Sequence, residues 1–287
     1  MTAQHALDGS NKTVRQNTQP ISFQKQTRQN EDHRNASYPR ANFQQADMTA
    51  TCFADANLQE IEGFQVNFAE ADLQNADLSA ALLEEANFYR ANLSGVTLKG
   101  AFLAGSNLKE ANLFNATLTG VDLTNADLSG ANLSGSTLFG AVLKNTCLQH
   151  ANLSDADLEG IVIDHAQFQG ANLSHADITH EGYLMAPQGN PALLQHADFE
   201  GAVLKDAQLA FVDFADSNLT QTTFEESNLQ NAQLNQSTMT QANLSQADLR
   251  DSAPGFLLKG AKYCNKTKFP PGFSPEQYGM LKADLST

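Results

Sequence analysis

Ala111-Asn112-Leu113, Ala126-Asp127-Leu128 and Ala131-Asn132-Leu133 are copies of one five-residue unit, Ala-Asn/Asp-Leu-x-x. The unit returns at Ala71-Asp72-Leu73, Ala91-Asn92-Leu93 and Ala151-Asn152-Leu153, and it runs from Ala41 to Leu249 almost without interruption. Taking the large apolar residue as the centre of each unit, centres fall at 43, 48, 53 and every fifth residue to 178. A large aliphatic, aromatic or Met side chain fills 27 of these 28 places, and only Gly63 departs. The residue two before each centre is small or β-branched throughout, with Ala in 19 of 28, so two positions per unit are fixed as inward-facing.

A period of five decides the fold class. An apolar stripe on a helix recurs near 3.6 residues and on a strand near 2, so neither element keeps this stripe on one buried face. If each unit is a short straight segment ending in a corner, the small residue and the centre point inward and the other three point out. The chain then winds into a solenoid whose coils stack at about 4.8 Å, the spacing of hydrogen-bonded strands. A short fixed repeat of this kind signifies a stacked array.

The pattern resembles the pentapeptide-repeat family over roughly three quarters of the chain. The resemblance implies an all-β fold, a right-handed quadrilateral β-helix with four units per coil. Carried onto this sequence, it makes Leu73, Leu93, Leu113, Leu133, Leu153 and Leu173 one internal ladder, with Ala71, Ala91 and Ala111 beginning the neighbouring one. Burying each Leu or Phe contributes roughly 1.5–3 kcal/mol, as an upper bound.

Domain boundaries follow from where the unit holds. Residues 1–40 are polar, rich in Gln and Asn and without apolar periodicity, and are expected to form a disordered tail. Residues 41–249 form the β-helix. From Ile178 the next regular centre is Leu194, a step of sixteen, so residues 179–191 are expected to leave the coil as a loop. Its Gly182, Pro187, Gly189 and Pro191 are loop chemistry, while Tyr183, Leu184 and Met185 make an apolar triplet fit for recognition or for packing back on the rod. Residues 250–287 read as an irregular last coil through Phe256, Leu258 and Tyr263, then a capping helix from Pro275 to about Lys282. Ser274 is its N-cap and Gln277 the reciprocal partner. Gly260-Ala261-Lys262-Tyr263, then Lys268 to Phe273 and Gly279-Met280, resemble the ending of many cyanobacterial family members. At Gly63 the adjacent Phe64 either fills the hole through a bulge or points outward.

Charge narrows the partners. Residues 1–40 hold six Lys or Arg against three Asp or Glu, leaving eleven against twenty-nine beyond, a net of −18. Between Glu110 and Leu249 only Lys144 and Lys205 are basic. Such a rod repels nucleic acid and attracts basic partners. No run of 18 apolar residues and no apolar leader is present, so a cytoplasmic protein away from membranes is expected. Three cysteines, Cys52, Cys147 and Cys264, do not suggest a disulfide framework.

No catalytic, cofactor or metal signature stands out. A core of Ala and Leu leaves no pocket in which a nucleophile, base or metal could converge. His150, His165, His175 and His180 all lie two after a centre, and none is twenty residues from another, so they are not expected to stack into a metal site. The carboxylates at 155, 157, 159 and 164 read as solvated surface charge. The protein is expected not to be an enzyme.

The sharper signal lies just before each centre, where Asn, Asp or Thr is usual. That residue is large and apolar at Leu82, Phe102, Val142, Val162, Leu193 and Val203. The first four differ by multiples of twenty and so share one side, which Leu193 joins if the loop preserves phase. Asp122 is the polar rung within the line. The strip, with Tyr183, Leu184 and Met185, is the candidate surface for a protein partner or a second copy of the chain. The alternative is a mimic of duplex DNA, since family members of that kind are similar to DNA in girth and charge and occupy the DNA groove of gyrase-type topoisomerases.

Overall fold

The computed structural model describes residues 20–178, 194–252 and 257–283. Each straight segment meets its neighbour through a parallel bridge to the residue twenty further on, as in Asn92↔Asn112, Asn112↔Asn132 and Asn132↔Asn152. A register of twenty with corners every five residues gives four units per coil. Two segments widen into short strands, β1 (Val142–Lys144) and β2 (Val162–Asp164), paired in the same parallel register.

The unit 91–95 shows why five residues suffice. Asn92 N–H donates to the Ala71 carbonyl at 2.9 Å, while Leu93 and Gly95 N–H donate to the carbonyls of Asn112 and Phe114 at 2.7 and 2.8 Å. Ala91 N–H closes the preceding corner on the Phe88 carbonyl at 2.9 Å. The fifth donor, Ser94 N–H, points to no carbonyl and is taken by the side-chain Oδ1 of Asn92 at 3.3 Å. Asn or Asp before the centre is therefore a turn cap as well as an outward polar group. The last residue of each unit is left-handed, with φ 66° at Gly95 and 55° at Asn75, which explains the Gly, Asn, Asp and His found there.

The interior is filled as the repeat requires. The Leu ladder from Leu73 to Leu173 and the Ala ladder from Ala71 to Ala171 are each at most 1% exposed. At Gly63 no bulge forms, because Glu62 keeps its bridges to Asn42 and Leu82. Phe64 turns outward, and Leu83 fills the hole: a Cβ on Gly63 would meet Leu83 Cδ2 at 2.8 Å. One coil before, the Phe43 ring packs against Phe53 and Phe68 at 6.0 Å.

The column begins earlier than its apolar pattern suggests. Residues 21–40, expected within a tail, form a further coil through Ser22↔Asn42, Thr27↔Asp47, Asp32↔Cys52 and Ser37↔Asn57. Its centres are Phe23, Arg28, His33 and Tyr38, which an end coil tolerates because one side of it is open. Phe23 stacks on Phe43 at 4.7 Å and His33 on Phe53 at 5.1 Å. Glu31 and Tyr38 hydrogen-bond the two ring nitrogens of His33, each at 2.9 Å.

The inserted segment leaves the phase intact. Gln167↔Asp198, Asn172↔Val203 and Asp177↔Gln208 are each offset by 31, after which Asp198↔Asn218 restores twenty. Past residue 252 the offset shortens to nineteen at Thr238↔Leu257 and Asn243↔Lys262. Leu258 and Tyr263 are buried there as expected, while Phe256 lies outside the described residues. The expected helix from Pro275 to Lys282 is a single 3-10 turn, Pro275–Tyr278, without a side-chain cap from Ser274. Gly279 ends it at φ 70°, and the chain then adds strand β4 (Leu281–Lys282) to β3 (Lys262–Tyr263). Glycine in the left-handed region is a helix stop, and pairing on an open edge satisfies more backbone than two further helical residues.

Side-chain ladders add a direction. Asn92, Asn112, Asn132, Asn152 and Asn172 each donate Nδ2–H to the residue twenty before, at 2.9–3.3 Å, ending on Asp72. A second ladder through Asn107, Asn87 and Asn67 ends on Asp47. A carboxylate accepts but cannot pass a donor onward, so Asp occupies the N-terminal rung. Asn112→Asp should therefore cost about 1–2 kcal/mol by removing one ladder donor, read as a lower urea midpoint with an unchanged slope.

The last coil is laced by Asp248, which accepts from Arg250 and Lys268 at 2.7 and 3.0 Å and from Gln230 at 3.0 Å. Arg250 foremost holds this carboxyl far below the usual carboxylate range, against the opposing effect of burial. A depressed folded pKa contributes stability that is present above the unfolded value near 4 and is lost as pH falls through the folded one. Amide exchange in residues 257–268 should thus stay slow at pH 4 and accelerate only in stronger acid. In Asp248→Asn it should be fast at both.

Candidate interaction surface

The parallel bridges Leu82↔Phe102, Phe102↔Asp122, Asp122↔Val142 and Val142↔Val162 place the sequence-selected residues on one face, at successive rungs about 4.8 Å apart. Leu82, Phe102 and Val162 are 42%, 45% and 36% exposed, and Val142 is half-buried. Val203 bridges Asn172 on another side. Leu193, Tyr183, Leu184 and Met185 lie outside the described residues.

These apolar residues stand where the fold uses a cap. Asn42 and Asp122, on the same face, each take the N–H two residues on, from Gln44 and Thr124, at 2.9 Å. Among the described residues, no side chain caps the corresponding N–H after Leu82, Phe102, Val142 or Val162. Leu82, Phe102 and Val142 thereby each give up a hydrogen bond worth a net of roughly 0.5–1.5 kcal/mol, whereas after Val162 the chain stays paired with β1 through Asp164. Apolar side chains displace this structural group at Leu82, Phe102 and Val142 on one face, which fits an interaction surface better than a strand preference.

Further residues border this face, of which only Phe64 was singled out in the sequence, and that for the hole at Gly63. Phe64 and Phe139 are exposed on its two bordering corners, in the turns after Gly63 and before Ala141. The left-handed corner position leading onto the face is Ala80, then Gly100, Gly120, Gly140 and Gly160, so that shoulder is almost bare of side chains. An added Cβ at Gly100, Gly120 or Gly140 would meet nothing within 4 Å. Phe211, 60% exposed at φ 64°, holds the same corner two coils beyond Gly160. The twenty-residue arithmetic, applied to corners as well as rungs, would have found the glycine shoulder, and Phe211 once the eleven added residues are counted.

Charge frames the strip. Glu62, Glu84 and Glu85 lie at its N-terminal end, Asp122 in the middle and Asp164 at its far end, while Lys99 and Lys144 border it. His165 Nδ1 meets Asp164 at 2.5 Å, and its ring stacks on that of His196 at 5.4 Å. The partner is 31 residues away because the insertion adds eleven, and His196 was not among those considered. His180 lies outside the described residues. Among the described residues no three His, Cys, Asp or Glu are placed to hold a metal ion, and no helix is long and apolar enough to cross a membrane. The cysteines are unpaired, with Cys52 and Cys147 on different sides.

The fold and surface define a repeat solenoid that presents outward-facing chemistry around a filled core. Pentapeptide repeats, in eight copies, match residues 64–100, 91–130, 106–145, 118–155, 148–179, 192–221 and 217–252. The chain belongs to the pentapeptide-repeat family, and its fold is the right-handed β-helix. It is similar to HetL, a pentapeptide repeat protein involved in heterocyst differentiation regulation from the cyanobacterium Nostoc sp. strain PCC 7120. The identity is 28%, over 85% of this chain and 90% of that one, with a TM-score of 0.36. Rfr23 from the cyanobacterium Cyanothece 51142 is 26% identical over 50% of this chain and 91% of its own, with a TM-score of 0.14. QnrB1, a plasmid-mediated fluoroquinolone resistance protein, is 16% identical over 83% of this chain and 94% of its own, with a TM-score of 0.24. No curated protein matches the chain.

If the apolar rungs serve a partner and not the fold, Leu82→Asn with Phe102→Asn should not destabilise, and by restoring two turn caps should raise stability by up to about 3 kcal/mol, whereas Leu93→Ala in the core should cost about 2–5 kcal/mol. Thermal melts followed by circular dichroism give both values.

Proposed function

We propose that the protein is a non-enzymatic interaction scaffold or regulator. Its four-unit coil is a quadrilateral column, and one side of that column binds another protein. The observation that carries this reading is the line Leu82, Phe102, Val142 and Val162, where apolar residues replace the usual polar rung on a single face. Action without catalysis is supported by the filled interior, since acid, base and nucleophile must converge in a pocket to react. The rigid array suits recognition because its rungs are held by backbone hydrogen bonds and lose little freedom when a partner docks.

A second reading, mimicry of duplex DNA toward a gyrase-type topoisomerase, is favoured by the acidic array. Its carboxylates stand at rungs on all four sides, among them Asp122, Asp127, Asp72 and Asp157, and do not gather into two rows as phosphates do. The scaffold reading is therefore preferred. Association with the cognate protein should be lost in Leu82→Asn/Phe102→Asn while the melting temperature does not fall, and gyrase supercoiling should be unaffected by the wild-type chain. Salt-sensitive inhibition of supercoiling, retained in that variant, would support the mimic instead.

A further inference from the structure

We propose that the apolar face takes a single amphipathic α-helix, laid along the column, with a basic residue at its middle contact. The proposal deepens the scaffold reading and rests on it. It starts from the order of the rungs, which is apolar at Leu82 and Phe102, acidic at Asp122, and apolar again at Val142 and Val162.

Spacing favours a helix. Five rungs at about 4.8 Å span roughly 19 Å. A helix rising 1.5 Å per residue, with contacts alternating three and four residues apart, places five of them over roughly 21 Å. The two ladders stay within about 2 Å along the whole strip. The shoulder at Ala80, Gly100, Gly120, Gly140 and Gly160 leaves room for a cylinder to settle, and Phe64 and Phe139 flank it from opposite corners.

Charge selects the middle contact. Asp122 spends Oδ1 on its own turn, and its carboxylate is the one charged rung between two apolar pairs. An Arg or Lys on the helix would pair with it, and apolar neighbours on both sides would shield that pair from water. Glu62, Glu84 and Asp164 at the ends of the strip favour a basic helix as a whole.

A second copy fits less well. A strip roughly 19 Å long and one helix diameter, about 10 Å, wide offers about 200 Å². That is far below the roughly 800 Å² per partner of a standard interface between rigid proteins. Two acidic columns would also bring like charge together, with a formal net charge of −15 on each chain.

The test uses the full chain and two designed eighteen-residue helical peptides, with Leu at the alternating three- and four-residue contacts and either Arg or Glu at the middle one. Fluorescence anisotropy should show saturable binding of the Arg peptide at least tenfold tighter than that of the Glu peptide. Asp122→Asn retains the turn cap and should reduce this preference to twofold or less. Phe102→Asn with Val142→Asn should weaken both peptides at least tenfold. The proposal is overturned if neither peptide binds, or if the Arg preference persists in Asp122→Asn. It is also overturned if sedimentation shows a dimer that Phe102→Asn dissociates. Loss of the cognate protein in the Leu82→Asn/Phe102→Asn variant, with neither peptide bound, would reject the helix and leave the scaffold reading standing.

Discussion

The structure depends on the register of twenty residues that stacks one apolar centre on the next. Leu93 lies between Leu73 and Leu113 in the interior, and the same register sends the Leu93 N–H to the Asn112 carbonyl at 2.7 Å. Core packing and backbone pairing are thus one constraint, because a slip of a single residue would expose the ladder and break the pairing together. Each coil buries its apolar side chains only against its neighbours, so stability accumulates coil by coil and the ends need distinct solutions. At the N-terminus an aromatic and polar coil holds Phe23, His33 and Tyr38 against Phe43 and Phe53. At the C-terminus Asp248 gathers Arg250 and Lys268 while β4 covers part of the open edge.

The same register makes the surface addressable. The residue before each centre sits outside the core, so it can change without disturbing the packing, and it returns to the same face every fourth unit. The fold uses this position for turn caps and amide ladders, as in Asn92 to Asn172. On one face the caps give way to apolar side chains, and the corner beside them to glycine. Fold and recognition therefore compete at a single position of the unit, and the outcome differs from side to side of one column.

Much of this was legible in the sequence, for a physical reason: the interior positions repeat strictly and tolerate little else. The five-residue period followed from counting, and the Leu and Ala ladders and the four rungs from Leu82 to Val162 followed once the family resemblance supplied four units per coil. The start of the column did not, because Arg28 and His33 occupy centres where only an end coil can hold them. The C-terminal helix was overread because Ser274-Pro275 is a good helix start, whereas Gly279 and the open edge of Lys262–Tyr263 decide the outcome. The His165–His196 stack was hidden by the eleven added residues, which turn a separation of twenty into 31.

Distances between nitroxide labels on one corner test this register most directly. With the native cysteines exchanged for serine, labels at Gln74 paired with Ser154, Ser174 or Lys205 should lie four, five and six coils apart. Their separations should rise in equal steps of about 4.8 Å, to roughly 19, 24 and 29 Å. Lys205 must fall on that line although 131 residues separate it from Gln74. Separations that do not rise by equal steps, or a Lys205 distance off the line, would contradict a column stacked in register through the insertion.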